Sequence, residues 1–161
     1  MIRQPYAQLI EIKRWADRGL YEAVRDNLER LTGEETVIVR RILDHIHAVD
    51  RIFQHHLLGR PHDYQAARSE TLPDFETLAR SAMSVDDWYA GYVGGLAAKD
   101  FEQRVDFVFT SGKPARMRRG EIFLHVCLHG TYHRGNAGAV LQLKGLTPSR
   151  DSITDYLEDA A

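Results

Sequence analysis

The sequence predicts an all-α protein, a four-helix bundle with a short β-hairpin before the last helix. Three observations carry that prediction. Four long segments repeat apolar side chains at helical spacing. Restart or stop signals fall at Thr32-Gly33, at Gly59-Arg60-Pro61 and at Gly145 with Pro148 just beyond. A single stretch, Val105-Asp106-Phe107-Val108-Phe109-Thr110, has the β-branched and aromatic character of a strand. At 161 residues the chain reads as one domain, 1–161, long enough to bury a core.

Segment one runs roughly from Gln4 to Glu29, with Tyr6, Leu9, Trp15, Ala16, Leu20, Ala23 and Leu28 near helical spacing. Thr32, with Glu35 three residues on, fits a capping box for segment two. That segment extends from about Glu35 to Leu58, and the stretch from His62 to Pro73 lacks periodicity and reads as a surface loop. Segment three starts near Asp74 and continues to about Lys99. Gly91, Gly94 and Gly95 would each cost ~1 kcal/mol relative to alanine inside it, and read as positions of close helix packing. Residues Arg104 to Met117 form the predicted hairpin, with Ser111-Gly112-Lys113 at its turn. Segment four starts near Arg119 and ends around Lys144-Gly145.

Composition narrows the function classes. Hydrophobic and charged fractions of 43% and 27% are ordinary for a soluble globular protein. A net charge of −2 gives no electrostatic case for nucleic acid. The basic run from Lys113 to Arg119 reads as solvated surface beside the hairpin. The single Cys127 excludes an intramolecular disulfide and fits a reduced, cytoplasmic protein. No N-terminal segment reads as a signal peptide, and no stretch approaches the ~20 apolar residues of a bilayer span.

Chemistry enters with the eight histidines, which must be sorted by their place on the helical wheel. The apolar face of segment two centres on Ile38, Ile42, Val49 and Phe53, and His45 falls inside it. His47 points the other way, among Asp44 and Arg51, as a solvated residue. His56 also faces inward, but lies roughly 16 Å along the axis from His45, too far to share an ion with it. In segment four, Ile122, Val126 and Val140 mark the apolar face. His129 and His133 straddle its centre, His125 sits nearer the flank, and Cys127 points away. From His125 to His133 is roughly 12 Å, beyond the reach of one ion about 2.1 Å from each nitrogen. Two histidines four apart share a helix face, and His45 on a facing helix would complete a three-nitrogen cage for a divalent transition metal with a coordination position left open. Inward histidines can equally be core residues bonded to carbonyls or carboxylates, and the residues alone leave both readings open. Gly130 follows His129, so the His-Glu-x-x-His arrangement and its general base are missing. Asp50, off the inward stripe one turn beyond His45, is a weak candidate base.

Three stretches resemble the DinB/YfiT-like family of metalloenzymes, and the resemblance covers essentially the whole chain. Glu11-Ile12-Lys13-Arg14-Trp15-Ala16-Asp17-Arg18-Gly19-Leu20 resembles its first-helix signature. Leu43-Asp44-His45-Ile46-His47-Ala48-Val49-Asp50-Arg51-Ile52-Phe53 resembles its second-helix motif, whose first histidine is a ligand. The segment from His125 to Gly135 resembles its fourth-helix motif, whose last two histidines complete the site. The hairpin, the closing Gly145-Leu146-Thr147-Pro148 and Asp155-Tyr156-Leu157 also fit. One departure is Asn136, where the family usually carries glutamine. The resemblance implies a bundle of unusual handedness or connection order, often homodimeric, with zinc or nickel held by His45, His129 and His133. It also implies thiol-dependent transferase or isomerase chemistry with a low-molecular-weight thiol.

The expected function is therefore a metal-dependent thiol S-transferase of the detoxification type, in which a metal-bound thiolate attacks a small electrophile. The alternatives are a metal-dependent hydrolase of a small molecule and a non-catalytic metal-binding stress-response protein.

Overall fold

The computed structural model describes residues 5–161. It is an all-α bundle with a short antiparallel hairpin: α1 (Pro5–Arg25), α2 (Gly33–Leu57), α3 (Phe75–Gly94), β1 (Arg104–Val108), β2 (Pro114–Arg118), α4 (Arg119–Leu143) and α5 (Ile153–Asp159). Gln4, placed in the first segment by its periodicity, lies outside the described residues. α2 packs on α4 and α3, and α1 on α3 and α4. The consecutive helices α1 and α2 thus lie across the diagonal of the bundle.

Local chemistry sets most boundaries. The capping box at α2 forms as the sequence predicts: Glu35 N–H donates to Thr32 Oγ1 (3.2 Å) and Thr32 N–H to the Glu35 carboxylate (2.8 Å). α2 ends at Gly59, whose φ of 63° permits the left-handed turn. There Arg60 N–H donates to the His55 carbonyl and Gly59 N–H to that of His56, closing a Schellman motif. Asp74 caps α3 by accepting from Thr77 N–H at 2.9 Å.

Three expectations need correction. Segment one ends at Arg25, and Leu28–Arg30 form a separate 3-10 turn. α3 stops at Gly94 instead of Lys99, and Ala98–Glu102 form another 3-10 turn. The glycines there are not close-packing positions: a Cβ added at Gly91 or Gly94 would meet nothing within 4 Å. They end the helix because glycine is a poor helix former. Close approach is needed instead at Gly120, where a Cβ would stand 2.6 Å from the Tyr6 hydroxyl oxygen. The short α5 was not expected as a helix. Ser152 caps it, and it docks on α1 through Trp15, whose Nε1–H donates to Asp159 (3.1 Å) and whose ring meets Tyr156 edge-on at 5.8 Å.

The hairpin pairs Arg104 with Arg118 and Phe107 with Ala115. Phe107 turns inward and joins Phe53, Tyr89, Phe101 and Phe123 in one apolar cluster. A second cluster, with Leu20, Val39, Leu78 and Leu141, fills the rest of the bundle. Charge is also buried in the interior: Lys13 Nζ contacts Asp17 (2.6 Å), Asp86 (2.7 Å) and Asp50 (2.8 Å), and Asp17 accepts from Arg134 at 2.8 Å. All five side chains are buried, so each charge depends on its partners.

Candidate metal centre

α2 and α4 face one another and bring His45, His129 and His133 together. Each offers a ring nitrogen within 4.8 Å of those of the other two, so the group could hold a metal ion. The three ring centroids are mutually 4.5–4.7 Å apart. His45 Nε2 and His129 Nε2 are 3.0 Å apart. Two nitrogens each about 2.1 Å from one ion would stand about 3.4 Å apart at the tetrahedral angle, so a small opening of this pair would admit one. All three rings are half-buried, so the cluster is open to solvent on one side.

The protonation chemistry suits ligation. His45 Nδ1–H donates to the Ala67 carbonyl at 2.7 Å. That bond fixes the tautomer and leaves Nε2 as the lone-pair nitrogen of the neutral ring, facing His129. Burial, then the neighbouring His45 and His133, push His129 down to about 3. His133 is lowered by burial and then by His45. Neutral imidazole is the metal-binding form. His129 Nδ1 is buried without a hydrogen-bond partner among the described residues, so His45 is the better oriented of the two. Asn136, in spite of its shorter side chain, places its amide nitrogen 3.3 Å from His133 Nδ1.

The strap that orients His45 is itself anchored. Asp44, buried on α2, accepts from Ser69 N–H (2.9 Å) and from the Ser69 hydroxyl (2.6 Å), two residues beyond Ala67. Sequence reasoning misses Asp44, because its partner Ser69 lies in an aperiodic loop.

The remaining histidines fall elsewhere. His125 packs against Phe53 at 4.8 Å and stacks on His129 at 5.6 Å, outside the ligand group. His55 Nδ1–H donates to its own helix at the Arg51 carbonyl (2.8 Å), and His56 stacks on Phe107 at 4.4 Å. His47 is not solvated: it is buried against α3, with Nε2 2.8 Å from the Ser81 hydroxyl. Correspondingly, Ile38, expected at the centre of the inward face, is 44% exposed. α2 is covered on more than one side, so a single apolar stripe misplaces its outer and inner faces.

Asp50 is buried beneath Lys13, where it cannot serve the histidine cluster as a base. Cys127, expected to point away from the interior, is buried in the apolar core, and burial pushes its thiol up to about 12. Lys13, Asp17, Asp86 and Arg134 were missed, although a signal existed. Ile10, Lys13, Asp17, Leu20 and Val24 form one helical stripe, all of it buried. A lysine and an aspartate four apart within an apolar stripe announce a buried ion pair.

The chain is thus an α-helical bundle in which three histidines on two facing helices converge on a point that could hold a metal ion. A model of the DinB family matches residues 1–160, and the chain belongs to that family. No curated protein and no solved structure matches it significantly.

Proposed function

We propose that His45, His129 and His133 hold a divalent transition metal, zinc or nickel, and that the protein is a thiol S-transferase acting on a small electrophile. The observation that carries this reading is the convergence of three imidazoles, two of them lowered by burial, on a half-buried point between α2 and α4. A bound ion would supply the positive charge that keeps a low-molecular-weight thiol deprotonated at neutral pH. The protein's part is to orient His45 through Ala67, to favour neutral His129 and His133 by burial, and to leave one side accessible.

Elemental analysis of untagged protein should find one metal per chain, and His45→Ala, His129→Ala and His133→Ala should each lower affinity roughly a hundredfold or more. His125→Ala should keep the metal. Turnover should require both a thiol and the metal, and chelation should abolish it while leaving most of the helical circular dichroism. Full metal occupancy without any thiol-dependent turnover across an electrophile panel would favour the non-catalytic reading.

The same reading includes a cytoplasmic homodimer. Its support is the outer face of α4, where Leu128, Tyr132 and Leu143 are 68%, 70% and 87% exposed. Between Glu121 and the end of α4 the only charged residue is Arg134, and it is buried. A helix that is apolar on every side is normally covered on every side. No described helix is long and apolar enough to cross a membrane.

A further inference from the structure

A cavity of about 890 Å³ lies away from the histidine cluster. It opens between α2 and the connection to α3, and its wall includes Arg41, Arg51, Arg68, His55, His62 and Tyr64. We propose that this cleft is a binding site for a small polyanion, a ligand carrying a phosphate or clustered carboxylates. Two features support it.

First, three arginines converge on one recess, and none of them forms an ion pair among the described residues. Asp63 and Glu70 stand in the same wall, yet neither pairs with these guanidiniums. Three guanidiniums against these two carboxylates leave the wall with a net positive charge, and an anion in the recess offsets it. Second, guanidinium is the side chain whose planar donor fork matches phosphate and carboxylate oxygens. Arg51 uses only Nη1, on Gln54 Oε1 at 2.6 Å.

The cleft is separate from the metal centre. Ala66 and Ser69 line it, and between them Ala67 holds His45 by the ring edge opposite the nitrogen that faces His129. The polyanion site does not depend on the metal reading.

Calorimetric titration of the metal-stripped full chain with inorganic phosphate, and separately with citrate, tests this at ionic strength held constant with chloride. Saturable binding of at least one anion is expected, and whichever binds identifies a phosphate-type or a polycarboxylate ligand. Arg41→Gln, Arg51→Gln and Arg68→Gln should each weaken it about tenfold or more, since each removes a charge-assisted hydrogen bond. Lys99→Gln, an equal loss of charge at an exposed lysine outside the cleft, should leave binding unchanged. Arg41 and Arg68 are exposed, so their variants should fold normally, which circular dichroism verifies. Failure of both anions to saturate, or variants no weaker than Lys99→Gln, would overturn the site. Loss of binding in His129→Ala would move the anion to the metal centre instead.

Discussion

At the scale of single residues, the candidate ligands depend on neighbours that never touch the site. His45 presents Nε2 because its other nitrogen donates to Ala67, and Ala67 is placed because Asp44 holds Ser69. Asp44→Ala should therefore lower metal affinity about tenfold with little loss of helix, measured by competition against a chromophoric chelator. His47 gives a stability effect of defined sign. Burial and then Arg51 hold it down at about 4, whereas the unfolded chain takes up the proton near 6.5. Between those values the unfolded state binds more protons, so stability falls as pH drops from 6.5 toward 4, by roughly 3 kcal/mol from this residue. His47→Asn should flatten that part of the urea-midpoint profile. A profile as steep as that of the wild type would contradict the assignment.

Among the elements, α4 has the most tasks. It supplies two of the three histidines, buries Arg134 against Asp17 and Asp151, and leaves an apolar outer face. If a second copy covers that face, Leu128→Glu places a charge in the interface and should yield a monomer in light scattering at micromolar concentration. A wild-type chain already monomeric under those conditions would remove the dimer from the proposal. The hairpin has a different part: Phe107 closes one end of the bundle against Phe53 and His56, while Arg116 pairs outward with Asp106.

For the whole molecule, the buried charges link all four long helices. Lys13 on α1 meets Asp50 on α2 and Asp86 on α3, and its neighbour Asp17 meets Arg134 on α4. Burial would raise Asp17, but Lys13 and Arg134 hold it down at about 2; burial prevails at Asp86 and drives it well up. Lys13→Met would strand buried carboxylates without their cation. It should destabilise the fold by about 3–5 kcal/mol in chemical denaturation, far more than any single ligand histidine.

The fold class, the capping box at Thr32, the hairpin and the His129/His133 pair were legible in the sequence because each is a local signal. Periodicity, capping chemistry and i, i+4 spacing act within one or two turns, and they survive without knowledge of the neighbours. The faces of α2 were not legible in this way. Its burial is set by α3, α4 and the 62–71 strap together, so His47 and Asp50, solvated on a one-stripe wheel, are buried, and Ile38 is not. Gly91 and Gly94 could have served close packing or helix termination, and only the empty space beside them decides for termination. The meeting of His45 with a pair more than eighty residues away, and the unpaired arginines around one cleft, likewise exist only after folding. Sequence spacing fixes which side chains share a face, but which faces meet is a property of the packed chain.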